Sequence, residues 1–84
     1  MEIKTKYDIG QHIWFVYESQ HEVCIYDDYI AWISYEDELL YGLKESFNDI
    51  KEEDVILYED TESLINKIKK VMEEIREVER RKKE

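Results

Sequence analysis

From His12 to Tyr17 the chain is a short, nearly unbroken apolar run whose successive side chains would fall on opposite faces of a strand. Ile13, Phe15 and Tyr17 fall on one face and Trp14 and Val16 on the other, which predicts a strand apolar on both sides. Glu18-Ser19-Gln20-His21 is a polar turn, after which Glu22 to Tyr26 resumes through Val23, Cys24 and Ile25, so the two runs predict a hairpin. Asp27-Asp28 interrupts the pattern, Tyr29 to Tyr35 resumes it, Glu36-Asp37 turns, and Glu38 to Leu43 returns as a second hairpin. Upstream, Lys4 to Gln11 reads as a short lead-in strand that turns at Gly10. Downstream, Lys44 to Glu53 is a polar connection anchored by Phe47 and Ile50, and Asp54 to Tyr58 is a last short strand through Val55, Ile56 and Leu57.

After Asp60 or Thr61, either of which is a ready N-cap, the period changes to that of a helix. Glu62 sits in its first turn and strong helix formers run to about Lys82. Leu64, Ile68, Val71, Ile75 and Val78 form a seam that Ile65 and Met72 widen only in the first half, so burial is expected to thin toward the C-terminus. The fold class expected is α+β: a small antiparallel meander of five or six strands, too small for a sandwich and hence a partly closed SH3-like barrel, with a long C-terminal helix. With 84 residues there is material for one core. The expected organisation is a single domain, residues 1–60 forming an acidic β body and residues 61–84 a helix that packs on it and projects beyond it.

Charge changes the picture because it is unevenly placed. Residues 1–60 hold sixteen acidic side chains against four basic ones (Lys4, Lys6, Lys44, Lys51), a net charge of −12, and residues 61–84 carry +2. A field this negative repels nucleic acid, phosphorylated ligands and anionic membranes over roughly 8–10 Å and suits a basic protein surface. No apolar run approaches the ~20 residues of a membrane helix, and Met1-Glu2-Ile3-Lys4-Thr5-Lys6 lacks the apolar stretch of a signal peptide. Cys24 stands alone, so no internal disulfide forms. These features predict a cytoplasmic protein.

Candidate chemistry is sparse. There is no glycine-rich phosphate loop, no paired-cysteine motif, no zinc-protease helix motif and no nucleophile elbow. His12, His21 and Cys24 offer a metal reading, but His21 and Cys24 point to opposite faces of an alternating strand, where Cys24 reads as a small hydrophobe. The carboxylate clusters lie in turns open to water and match no calcium loop, so they neither gain the desolvation that acid catalysis requires nor hold a cation. The expectation is a non-enzymatic protein without cofactor or metal.

What remains is an interaction surface. Asp27, Asp28, Glu36, Asp37, Glu38, Glu52, Glu53 and Asp54 are the candidate contacts to the Lys and Arg residues of a partner, with Tyr29, Tyr35 and Tyr41 as aromatic anchors. The alternative to a functional surface is that acidic turns only keep a small domain soluble; sixteen acids against four bases exceed that need and cost stability by self-repulsion. The helix also has two readings. Its seam packs on the sheet, or Ile75 and Val78 form a homodimer contact while Arg80-Arg81-Lys82-Lys83 reaches an acidic surface, which would make the chain a structural or regulatory interaction module.

The order Lys4-Thr5-Lys6-Tyr7-x-Ile9-Gly10, Trp14-Phe15, Tyr35-Glu36-Asp37, Lys51-Glu52-Glu53-Asp54-Val55 and a threonine-capped helix resembles a group of small phage and prophage proteins of low-GC bacteria, over about residues 3–68. Gln11 stands where that group usually has an acidic residue. The resemblance implies a small SH3-like β fold with a C-terminal helix, a viral genomic setting and no catalytic residues to carry over. Short acidic phage proteins are similar to anti-CRISPR and anti-restriction inhibitors, which occupy the nucleic-acid channel of a nuclease. By that analogy the partner expected is a basic, nucleic-acid-binding host nuclease, with no direct contact to nucleic acid.

Overall fold

The computed structural model describes residues 4–82; the lead residues Met1 to Ile3, and Lys83 of the basic tail, lie outside the described residues. The alternating run forms β1 (His12–Ser19), which turns directly into β2 (Glu22–Tyr35). Between them Gln20 and His21 both adopt positive φ, 52° and 64°. Two successive left-handed residues give a turn whose twist matches that of the flanking strands. The Glu18 carboxylate fixes it by accepting the His21 amide at 2.8 Å.

Next come β3 (Leu39–Leu43), β4 (Asp49–Lys51), a single 3-10 turn (Glu52–Asp54), β5 (Ile56–Leu57) and the helix α1 (Thr61–Lys82). The sheet order is β4-β3-β2-β1-β5, antiparallel throughout. Its edges, β4 with three residues and β5 with two, each pair on one side only, so the sheet is not closed into the barrel expected from the sequence.

Three local expectations change. Asp27-Asp28 does not break the strand, because β2 runs through both for 14 residues. Each carboxylate finds a partner without leaving the ladder: Asp27 Oδ2 lies 2.7 Å from His12 Nε2, and Asp28 meets a set of backbone amides. Residues 4–11 form a turn segment instead of a strand. Gly10, at φ 96°, donates its amide to the Ile30 carbonyl at 2.7 Å, and the segment buries Tyr7 in the core. The polar connection after Leu43 contains β4, a strand with one apolar residue and so too short for any periodicity.

β2 serves two hairpins because its register shifts between Ile30 and Trp32. A bulge there bends the strand and increases its twist. On one face of the sheet Tyr7, Ile13, Ile30, Tyr41, Leu43, Ile50 and Val55 form the main core, and on the other Val16 and Ile56 pack against Val71 of α1, with Leu64, Ile68 and Ile75 beside them. β1 is therefore apolar on both sides, as its sequence predicts. The Trp32 indole lies over Gly42 so closely that a Cβ there would fall 1.8 Å from the ring, which is why a strand interior carries glycine at this point.

Asp60 caps α1, accepting the Ser63 amide at 3.1 Å and the Ser63 hydroxyl at 2.6 Å, and both bonds hold its carboxyl below the ordinary range. At 1.5 Å per residue the helix is about 33 Å long. Residues 76–81 are exposed and the molecule extends to 51 × 28 × 21 Å, so the last turns stand clear of the sheet.

Candidate acidic interface

The turn between β2 and β3 is made of Glu36, Asp37 and Glu38, all exposed. Strand pairing ends at Tyr35 and β3 begins only at Leu39, so all three side chains sit in a solvent-exposed turn. With Ser34, Leu40 and Asp49 they line a shallow recess. Glu38 also lines the next recess with Lys6, Leu39, Lys51, Glu52 and Glu53. Glu52, Glu53 and Lys6 in turn line a groove of about 620 Å³ that continues past Asp54 and Asp60 to the first half of α1. Three neighbouring depressions thus share lining residues, and through them Glu36, Asp37, Glu38, Asp49, Glu52, Glu53, Asp54 and Asp60 follow one another from the β2–β3 turn, past β4 and the 3-10 turn, to the start of α1 beyond β5 at the opposite sheet edge. The cations among them are partly engaged. Lys51 lies 3.7 Å from Glu38 and Lys67 3.7 Å from Asp54, exposed pairs that contribute little to stability.

Glu52 is the best anchored acid of the series. Its Oε2 accepts the Tyr41 hydroxyl at 2.6 Å and the Lys6 amide at 3.2 Å, and these bonds lower its carboxyl, the Tyr41 hydroxyl contributing most. Tyr41 is fully buried; burial first, and the Glu52 carboxylate second, push its phenol up. The Tyr41 hydroxyl oxygen accepts the Tyr7 amide at 3.3 Å, so one network ties the N-terminal segment, β3 and the 3-10 turn together. Tyr41 is part of the core, and its expected role as a surface anchor does not stand.

Asp28 is corrected in the same way. It has no exposed surface, and its carboxylate accepts the amides of Tyr29, Glu45 and Ser46 at 2.7, 2.9 and 3.1 Å. Burial pushes its carboxyl up, but the amides, that of Glu45 foremost, hold it below the ordinary range on balance. Its work is to hold the loop after β3, where Phe47 sits at φ 59° with 77% of its surface exposed.

Asp27 and Tyr29 lie away from the acidic side. Asp27 bonds His12, whose ring is stacked between Tyr29 and Tyr58 at 4.4 and 3.9 Å, and Tyr58 stacks in turn on Trp14 at 4.7 Å. This four-ring column covers sheet beside the helix. Tyr35, half exposed, closes β2 just before the Glu36 turn, where an anchor was expected. Sequence reasoning missed Asp49 as part of the acidic series, because an isolated aspartate opening a three-residue strand carries no pattern.

Ile75 packs half-buried against the sheet, and Val78 is exposed beyond it. Cys24 is half-buried on β2 opposite Tyr17, whose phenol it pushes up. Among the described residues no three His, Cys, Asp or Glu side chains are grouped to hold a metal ion, so His12, His21 and Cys24 are not brought together. No described helix is long and apolar enough to cross a membrane. No protein-family model, curated protein or solved structure matches the chain.

Proposed function

We propose that this protein is a phage-encoded, non-catalytic inhibitor that binds the nucleic-acid site of a host defence nuclease, a CRISPR effector or a restriction enzyme, and offers it carboxylates in place of phosphates. The observation that carries this reading is the run of acids from Glu36 to Asp60, from the β2–β3 turn to the start of α1, through recesses that share Glu38, Glu52 and Glu53. Acids that only conferred solubility would have no reason to line a continuous series of recesses. A rigid scaffold adds to this: Glu52 is fixed by Tyr41, and Asp60 by the helix it caps. Such fixed charges lose little conformational freedom on binding.

Inhibition of DNA cleavage by such a nuclease is the test. The wild-type protein should inhibit, excess nucleic acid should compete, and added salt should weaken the effect steeply. Glu36→Lys, Asp37→Lys and Glu38→Lys together should abolish inhibition while circular dichroism stays unchanged, since all three side chains are exposed. Undiminished inhibition by the triple variant would overturn the reading.

A further inference from the structure

On the far side of Asp49 the acidic series meets a surface of different chemistry. Phe15 and Tyr17 of β1 and Tyr26 of β2 stand on one face of the sheet with their ring centroids 5.1–5.8 Å apart, tilted by 40–73°. They form the floor of a recess of about 510 Å³ whose other lining residues are Ser46, Asn48 and Asp49. The Asn48 side-chain amide donates to the Tyr26 hydroxyl at 3.1 Å, so the loop that Asp28 holds is fastened to this floor as well. Tyr17 is 40% exposed, and Phe47 projects between the two loop residues that line the recess.

The rings touch one another, so this is a floor and not a slot for a flat ligand held on two sides. What such a floor attracts is a cation, through the negative faces of its rings. Asp49 is the one charged residue among its lining, and it is shared with the recess of Glu36, Asp37 and Glu38. The body as a whole supplies a strongly negative field. Between the two protein cations, guanidinium is planar, weakly hydrated and stacks on aromatic rings while still donating to oxygen acceptors, and ammonium is compact and strongly hydrated.

We infer that the Phe15–Tyr17–Tyr26 recess receives an arginine side chain of the basic partner, stacked on the rings with its donors toward the Ser46–Asp49 rim. The inference rests on the acidic-side reading and adds to it the identity of one contact.

The test uses the full chain and short peptides of equal length and spacing that carry arginine, lysine or uncharged citrulline, titrated calorimetrically at low and high salt. The arginine peptide should bind about two- to fivefold more tightly than the lysine peptide, the size of an exposed cation–π contact. The ring resonances of Tyr17 and Tyr26 should shift more with arginine than with lysine, and not with citrulline. Tyr17→Leu with Tyr26→Leu should remove the preference and leave salt-dependent binding of both cationic peptides. Tyr17→Leu alone, at the more exposed ring, should halve the preference if the double variant is poorly folded. Equal affinity for arginine and lysine in the wild type, or a preference that survives the ring substitutions, overturns the inference and leaves the acidic side intact. Failure of both cationic peptides to bind at low salt would remove the acidic-side reading and this inference with it.

Discussion

Two acidic interruptions of the strand pattern, Asp27-Asp28 and Glu36-Asp37-Glu38, look alike along the chain and end in opposite roles. The first lies inside a 14-residue strand, with one carboxylate fully buried and the other bonded to a histidine. The second is an exposed turn with a single lysine contact, Glu38 to Lys51 at 3.7 Å. The difference lies in the donors each one meets. Asp28 faces the free amides of Glu45 and Ser46, which the chain returns to it after β3, and three hydrogen bonds to a charged acceptor offset its desolvation. The Glu36 turn meets no such set, and its charges remain in water, available to a partner.

The sharpest way to break this comparison is to neutralise the two kinds of acid in turn. Asp28→Asn keeps the size but brings an NH2 group against amide donors, and should cost about 3 kcal/mol in urea denaturation. Asp27→Asn, at a half-exposed site, should cost under about 1 kcal/mol. Equal costs would mean that the loop amides do not depend on Asp28.

Acid titration sharpens the same contrast. A carboxyl whose folded value lies below its unfolded one contributes stability that is complete above the unfolded value and disappears as pH falls through the folded one. Asp28 and Glu52 are both lowered from ordinary values of 3.8 and 4.5. Thermal stability should therefore hold from pH 7 to about 5 and fall below about pH 4. In Asp28→Asn the fall should be shallower, and an identical acid profile would exclude Asp28 as a contributor.

Smaller effects separate folding from binding. Phe47 contributes little to the core and holds a left-handed conformation that glycine adopts freely. Phe47→Gly should change folding stability by no more than about 1 kcal/mol, in the stabilising direction if relief of φ outweighs the added freedom of the unfolded chain. If the proposed inhibition holds, the same variant should weaken it, because an exposed aromatic in the loop that lines the recess is available as a partner contact.

Much of this arrangement was legible in the sequence. The helix and its cap, the thinning of its seam after Ile75, the tight β1–β2 hairpin and the two-sided apolarity of β1 follow from periodicity and turn chemistry, which are local. The acidic turn at Glu36 to Glu38 was legible for the same reason. Tyr41 and Asp28 were misread because their burial is set by residues distant in the chain, Glu52 and the Glu45–Ser46 amides, and no local pattern announces that a charged or hydroxyl-bearing side chain has such partners. Asp49 and the Phe15–Tyr17–Tyr26 floor belong to the same class. Their residues are ordinary strand members until the loop after β3 closes over them.

Composition and spacing by themselves determined an acidic α+β chain with antiparallel strands first and a long helix last, since charge and periodicity act over a few residues and need no partner. Tertiary structure alone decided which carboxylates became part of the fold and which stayed on the surface. That choice depends on where unpaired amides and hydroxyls arrive in space: the loop after β3 returns the Glu45 and Ser46 amides to Asp28, and the Tyr41 hydroxyl meets Glu52.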